Sequence, residues 1–307
     1  MKLDFLVIGA QKGGTTSLWQ YLREHPQLCM PESKEAALFT ANPDPAKLPA
    51  YMQALFAGAD PDALLGKVTP DYMVGAPGCG VETVAGRIAS ALPEVKLIAL
   101  LRDPIERAIS SYTMAVRRGQ EKRSVNAALR ELLDADELAH ARAQPSPTNS
   151  YIVAGEYGRM LSAYRDHFPA DQLLVTYTDD LADEPAVVLD DVLEYLGLPT
   201  GFRPNGLGAR HFRGGAKKLL DDPEAEARLF QFYEEEILPH MNGPALMHRR
   251  AFEFFYETWN VVPEEPPRIT AHVRRLLEEH FHADAEKLGA LGASTSWIFS
   301  WRRFVNV

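Results

Sequence analysis

The residues of this chain best suited to chemistry lie in a glycine-rich loop near its start. Phe5 to Ile8 is a short apolar run, and Thr16 to His25 has helical spacing, so the loop is expected to join a buried strand to a helix. Such a loop offers backbone N–H groups to an anion, and the helix dipole adds to the attraction. The loop residues expected to bind an anion are Gly9, Gln11, Lys12, Gly13, Gly14, Thr15, Thr16 and Ser17.

The position of the lysine separates this loop from that of a nucleotide kinase. Gly9 and Gly14 have the separation of the kinase pattern GxxxxGK[ST], but Thr15 occupies the lysine position and the loop's lysine is Lys12. A kinase uses its lysine on the β- and γ-phosphates. A donor without a γ-phosphate instead needs a cation close to the bond that breaks, which favours Lys12 as a catalytic residue.

Two segments resemble the donor-binding motifs of PAPS-dependent sulfotransferases (PAPS is 3′-phosphoadenosine 5′-phosphosulfate). Residues 9–18, GAQKGGTTSL, resemble the loop that holds the 5′-phosphosulfate in the heparan sulfate branch and its bacterial small-molecule relatives. Residues 100–112, LLRDPIERAISSY, resemble the 3′-phosphate motif LRDPxxRxxSxY. The resemblance implies that Arg102 and Ser110 bind the 3′-phosphate. Arg107 is expected to be structural and to form an ion pair.

Two further segments resemble the acceptor side of the same family. Residues 31–39, PESKEAALF, are similar to a KExxFF segment, and the resemblance implies that Glu35 is the general base, with Glu32 as an alternative. Residues 66–72, GKVTPDY, are similar to EKTPxY and imply that Lys67 reaches the sulfonate or the acceptor. Gly66 departs from the pattern, because the family has an acid there.

A basic glycine-containing loop, residues 210–218, stands where relatives cover the 3′-phosphate and adenine. The family's Lys-Gly-Arg order is not reproduced, and Arg213 with Gly214 is the expected contact. A basic loop that makes no specific contact is the alternative.

The remaining elements predict an α/β fold. Val95 to Leu101 and Leu173 to Tyr177 have the composition of buried strands, and each is followed by a helical pattern. Such alternation indicates a P-loop-like three-layer α/β/α fold with a central, mainly parallel sheet. Residues 40–66 have the composition of a covering insertion. No linker is evident, so residues 1–307 are expected to form one domain.

Composition and charge narrow the class of protein. The 307 residues carry a formal net charge of −10, which argues against nucleic acid as a partner. The two cysteines are not in a CxxC motif, the first apolar run is too short for a signal peptide, and no run approaches transmembrane length, so a cytoplasmic location is expected. The histidines lack metal-ligand spacing, so no metal is expected.

The resemblance thus implies an enzyme that moves a sulfonate group from PAPS to a hydroxyl of a small-molecule, lipid or carbohydrate acceptor and releases PAP. A magnesium-dependent P-loop kinase and a non-catalytic nucleotide-binding protein are the alternatives. A variable aromatic-rich segment, at about residues 220–265, is expected to be core, an acceptor wall or a homodimer contact.

Overall fold

The computed structural model describes residues 3–35, 38–41, 48–209, 218, 220–241, 248–249, 252–253, 256, 260, 262 and 265–293. The strands found in these residues are β1 (Phe5–Gly9), β2 (Leu28–Cys29), β3 (Leu64–Val68), β4 (Gly75–Ala76), β5 (Cys79–Gly80), β6 (Lys96–Leu101) and β7 (Leu173–Tyr177). Five of them form a sheet of order β2-β3-β1-β6-β7, in which all neighbouring strands are parallel. Strands β4 and β5 form a separate antiparallel pair.

Helices follow the strands and cover the sheet. They are α1 (Thr15–Arg23), α2 (Leu48–Leu55), α3 (Asp71–Val74), α4 (Val81–Ala91), α5 (Pro104–Arg117), α6 (Val125–Glu131), α7 (Ala135–Ala143), α8 (Tyr157–Arg165), α9 (Thr178–Asp183), α10 (Pro185–Leu196), α11 (Pro223–Phe232) and α12 (Ala271–Ala290). No helix in the described part of the chain combines the length and the apolar character needed to span a membrane.

The central strands bury both faces, as the apolar runs predict. On one face, Leu6, Ile8 and Leu97 pack against side chains of α4 and α8. On the other, Val7 and Ile98 belong to the cluster that includes α1 and α10. Because successive strand residues point to opposite faces, this alternation requires helices on both sides, which confirms the predicted three-layer fold.

One part of the sheet differs from the sequence-based expectation. Residues 40–66 have the composition of a covering insertion, but Leu64 to Gly66 belong to β3, which lies between β2 and β1. The glycine in this five-residue strand weakens its strand signal. Strand β3 is buried over most of its length and brings Lys67 to the carboxyl edge of the sheet.

A charged cluster fastens the C-terminal helix α12 to the body. The buried carboxylate of Glu156 accepts hydrogen bonds from Arg142 (Nη2, 2.6 Å), Arg159 (Nε, 2.7 Å) and His280 (Nε2, 3.1 Å). Asp284 of α12 accepts from the backbone N–H of Arg159 at 2.8 Å. These interactions hold the pKa of Glu156 down to about 2, against the effect of its burial.

The described aromatics of the 220–265 segment pack mainly on one another. Tyr233 stacks on Phe252 with ring centroids 3.9 Å apart, and Phe230 meets Tyr256 edge to face at 5.1 Å. The hydroxyl of Tyr233 donates to the carbonyl of His248 at 2.9 Å. These contacts form a small aromatic cluster, whereas Phe232 is 56% exposed.

Candidate active site

The predicted site residues converge on the carboxyl edge of the sheet. The loop 10–14 follows β1, residues 69–71 follow β3, and Arg102 follows β6. Parallel strands bring such ends together, and open α/β sheets bind ligands at this edge. The sheet order, with β1 between β3 and β6, places the donor loop between the two other motifs.

The glycine loop is held in shape by its own backbone and by β6. The N–H of Ala10 donates to the carbonyl of Leu100 at 2.8 Å, and the N–H of Gly13 donates to Ala10 at 3.0 Å. The hydroxyl of Thr178 donates to the carbonyl of Gly13 at 2.7 Å. Lys12 has φ 66°, a left-handed conformation that is uncommon outside glycine. The loop is therefore fixed before any ligand arrives.

Two glycines allow this path. A Cβ on Gly13 would overlap the carbonyl oxygen of Leu100, and Gly14 has φ 88° where α1 begins. The N–H of Ser17 donates a hydrogen bond to the carbonyl of Gly14 at 3.0 Å. The earlier N–H groups of α1 have no carbonyl within the helix to bind, and they leave a place for an anion at its N-terminus.

Lys12 lies among cations. Its ammonium is 3.9 Å from the sulfur of Met114 on α5, and the side chain is partly exposed. Burial, followed by the charges of Arg117, Arg118, Arg102 and Lys34, lowers the pKa of Lys12 to about 7. Lys12 is thus partly exposed to water but also surrounded by protein, as expected for a residue in a concave surface. A concave surface rich in cations suits a polyanionic ligand.

Helix α5 carries the second predicted motif as expected. The Asp103 side chain caps it by accepting from the N–H groups of Ile105 and Glu106, both at 2.9 Å. Arg102 pairs with Glu106 at 2.9 Å and is partly exposed, and Ser110 is partly exposed while Ile105 is buried. Both candidate 3′-phosphate contacts can therefore be reached from solvent.

Arg107 differs from expectation. It is fully buried and donates through Nη2 to the carbonyl of Tyr151. Among the described residues it has no carboxylate partner, so the predicted ion pair is wrong. Burial lowers the pKa of its guanidinium. Its contact joins α5 to the segment before α8, which is a structural role.

The end of α5 brings further cations to the site. The run from Arg117 to Arg123 has the pattern of a solvated face, but Arg117 is buried and its charge acts on Lys12. The charge of Arg118 acts on Lys12 and on Glu35. Arg123 is held by Glu121 at 2.7 Å. The double arginine therefore belongs to the site, a placement that a run of basic residues does not by itself reveal.

Glu35 and Lys67, the predicted acceptor-side residues, lie in one neighbourhood. Lys67 is buried and donates to the carbonyl of Ser33. The carboxylate of Glu35 is about half exposed and pairs with Lys34 at 2.8 Å. Burial alone would raise the pKa of Glu35, but Lys34, Arg118 and Lys67 hold it below the ordinary value. Lys34, not singled out in the sequence, is thus the nearest cation to the candidate base.

Gly66, the departure from the EKTPxY pattern, has a packing reason. Phe5 of β1 is its partner in the sheet, and the ring of Phe5 fills the space that a Cβ on Gly66 would occupy. An acidic side chain has no room there.

Two predicted contacts are not tested by this geometry. Arg213 and Gly214 lie outside the described residues.

Gln11 accepts a long hydrogen bond from the hydroxyl of Ser111, at 3.5 Å, so the loop touches α5 one residue beyond Ser110.

Comparison with known proteins identifies the family. The sulfotransferase domain family matches residues 2–207. The human bifunctional heparan sulfate N-deacetylase/N-sulfotransferase 3 is 30% identical over 201 residues, which cover 63% of this chain and 22% of the relative. The human heparan sulfate glucosamine 3-O-sulfotransferase 3A1 is 30% identical over 193 residues, which cover 63% of this chain and 44% of the relative. The chain thus spans less than half the length of these curated relatives.

A solved structure agrees with this match. The sulfotransferase from Alicyclobacillus acidocaldarius superposes with a TM-score of 0.57 and 28% identity over 81% of this chain and 97% of its own. The family and fold predicted from the glycine loop and the Arg102 motif are thereby confirmed. The chain belongs to the sulfotransferase family, which uses PAPS as its sulfonate donor.

Proposed function

We propose that this chain transfers the sulfonate group of PAPS to a hydroxyl of its acceptor and releases PAP. The observation that carries the proposal is the convergence of Lys12, Lys34, Arg102, Arg117 and Arg118 beside the glycine loop. Gly13 lets the loop lie close against β6, because a Cβ there would overlap the carbonyl oxygen of Leu100. A cationic cradle at a helix N-terminus fits a phosphosulfate with a second phosphate nearby.

Each candidate residue then has a role set by its place. The loop N–H groups hold the 5′-phosphate, and Lys12 neutralises the oxygen that leaves sulfur. Arg102 and Ser110 bind the 3′-phosphate. Lys67, which is buried and donates to the carbonyl of Ser33, assists on the acceptor side by holding the segment that carries Glu35. A carboxylate there removes the proton of the hydroxyl, and Glu35 is the residue that the family resemblance indicates. The acceptor oxygen forms its bond to sulfur as the bond from sulfur to the phosphate oxygen breaks.

The acceptor we propose is a small-molecule, lipid or carbohydrate hydroxyl. The relatives named above act on heparan sulfate, a carbohydrate. The formal net charge of −10 favours a less anionic acceptor for this chain. A cytoplasmic location and a homodimer contact through the aromatic-rich segment stay predictions.

The 3′-phosphate assignment is tested by binding of PAP against AMP, which lacks that group. Wild type is expected to prefer PAP. Arg102→Ala should weaken PAP binding by about 10- to 10²-fold, the value of a charge-assisted contact, and leave AMP binding unchanged. Arg203→Ala is the matched control, since it removes an arginine paired with Asp190 on α10. Equal loss for both nucleotides would show that Arg102 acts elsewhere, and turnover of ATP with Mg²⁺ would favour a kinase.

A further inference from the structure

Two chain segments are fastened together at two points on the acceptor side. The ammonium of Lys67 donates to the carbonyl of Ser33. The ring of Tyr72 meets the ring of Phe39 edge to face, with centroids 5.5 Å apart. Glu35 lies between Ser33 and Phe39 in one segment, and Asp71 lies between Lys67 and Tyr72 in the other. The two carboxylates therefore lie in one neighbourhood.

The backbone at Asp71 is rigidly placed. Asp71 is the first residue of α3, and the N–H of Tyr72 donates to the carbonyl of Thr69 at 3.1 Å. The hydroxyl of Tyr164 donates to the carbonyl of Tyr72 at 2.8 Å. Tyr72 and Met73 are buried, whereas Asp71 is exposed. The side chain of Asp71 is thus on the solvent side of α3, near the charges of Glu35, Lys34 and Arg118.

The two carboxylates differ in their partners. Glu35 is neutralised by Lys34 at 2.8 Å. The carboxylate of Asp71 makes no hydrogen bond or ion pair with any residue that the structure describes; the charges that reach it are those of Glu35, Lys34 and Arg118. Both oxygens of Asp71 are therefore available to a ligand, whereas Oε1 of Glu35 is engaged by Lys34.

The electrostatics favour the same residue as a base. Although its side chain is open to water, Asp71 is surrounded by enough protein to be desolvated, and this desolvation, followed by the charge of Glu35, raises its pKa to about 6, with Lys34 and Arg118 opposing the rise. The pKa of Glu35 is lowered instead. A general base is most effective when its pKa is close to the working pH. Asp71 is ionised at neutral pH and is the stronger base of the two.

We propose that Asp71 is the catalytic residue that receives the proton of the acceptor hydroxyl, and that Glu35, held ionised by Lys34, orients that hydroxyl. This inference rests on the proposed sulfonate transfer. The acceptor oxygen forms its bond to sulfur, the bond from sulfur to the leaving phosphate oxygen breaks, and the hydroxyl proton passes to the Asp71 carboxylate and then to water. Atoms and charge balance without a further reactant.

The test compares acceptors that differ in their need for a base. PAP release from saturating PAPS is measured at about pH 8 with phenol, which is almost entirely protonated at that pH, and with 4-nitrophenol, which is mostly ionised. Asp71→Asn is expected to lower the rate with phenol by about 10²-fold and to leave the rate with 4-nitrophenol nearly unchanged. With phenol, the wild-type rate should fall below about pH 6, and Asp71→Glu should restore part of the activity.

Each outcome decides a separate point. Equal losses with both phenols, or a larger and phenol-selective loss in Glu35→Gln than in Asp71→Asn, would overturn the role of Asp71. If wild type uses neither phenol, hydrolysis of PAPS by water replaces the assay, and an Asp71→Asn rate equal to wild type overturns the role. Wild type that neither binds PAP nor releases it would instead overturn the proposed function. PAP affinity and thermal midpoint show whether the variants are folded.

Discussion

Donor binding should be coupled to uptake of a proton by Lys12. Burial and the surrounding cations hold the pKa of Lys12 at about 7 in the free protein. At pH 8 only about a tenth of the molecules then carry the ammonium. The phosphates of PAP are fully ionised at that pH, since their second pKa is about 6. Their charge should return the pKa of Lys12 towards its ordinary value, so binding should take up about 0.9 proton per site.

Calorimetry measures this number directly. PAP is titrated into the protein at pH 8 in two buffers of different ionisation enthalpy, and the difference in observed heat gives the protons taken up. The sign is fixed: a pKa that rises on binding means uptake, so affinity should weaken about tenfold per pH unit above pH 7. Lys12→Arg is the matched control, because its guanidinium stays charged and should show almost no uptake. Wild-type uptake near zero, or equal uptake in both proteins, would refute the reasoning.

Two further predictions concern stability. Glu156→Gln should lower the free energy of unfolding by about 3 kcal/mol at pH 7, because the carboxylate has a pKa of about 2 in the fold against 4.5 ordinarily. The stabilisation is complete above about pH 4.5 and is lost as the pH falls towards 2, so urea unfolding should show a smaller difference at low pH; a constant difference contradicts this origin. Gly13→Ala should cost about 2 kcal/mol or more by forcing a Cβ onto Leu100, and abolish PAP binding. Gly86→Ala is the control, because Gly86 is in the middle of α4 and a Cβ there would have its nearest contact at 3.5 Å. It should raise the free energy of unfolding by about 0.5–1 kcal/mol. Equal thermal midpoints for the Gly13 and Gly86 variants would be inconsistent with the crowding of position 13 against Leu100.

The donor side was largely predictable from sequence because its signals are local. A strand, a glycine loop and a helix are contiguous, and the Asp103-Pro104 pair marks the start of α5 by capping chemistry that acts within three residues. The strand β3 was missed because Gly66 interrupts its apolar pattern, and the glycine is explained by Phe5, which is distant in the chain.

The acceptor side was only partly predictable because its properties depend on distant segments. Motif resemblance singles out Glu35 and Lys67 as candidates, but the pairing of Glu35 with Lys34 depends on the conformation of a loop side chain. Arg118 belongs to a basic run that has the pattern of a solvated face, yet its charge reaches Asp71. The charges that act on Glu35 and Asp71 come from three places in the chain, Lys34, Lys67 and Arg118. Their proximity depends on tertiary contacts that no single stretch of sequence specifies.

The contact of Phe5 with Gly66 links two parts of the chain that sequence motifs treat as separate. Phe5 opens the strand that ends in the donor loop, and Gly66 directly precedes Lys67 on the acceptor side. A protein engineer who wished to graft the family's acid at position 66 would have to shrink the ring at position 5 in the same step. Positions 5 and 66 should therefore change as a pair over evolution. A large ring at position 5 with an acid at position 66 would clash, and a small side chain at position 5 with glycine at position 66 would leave a cavity.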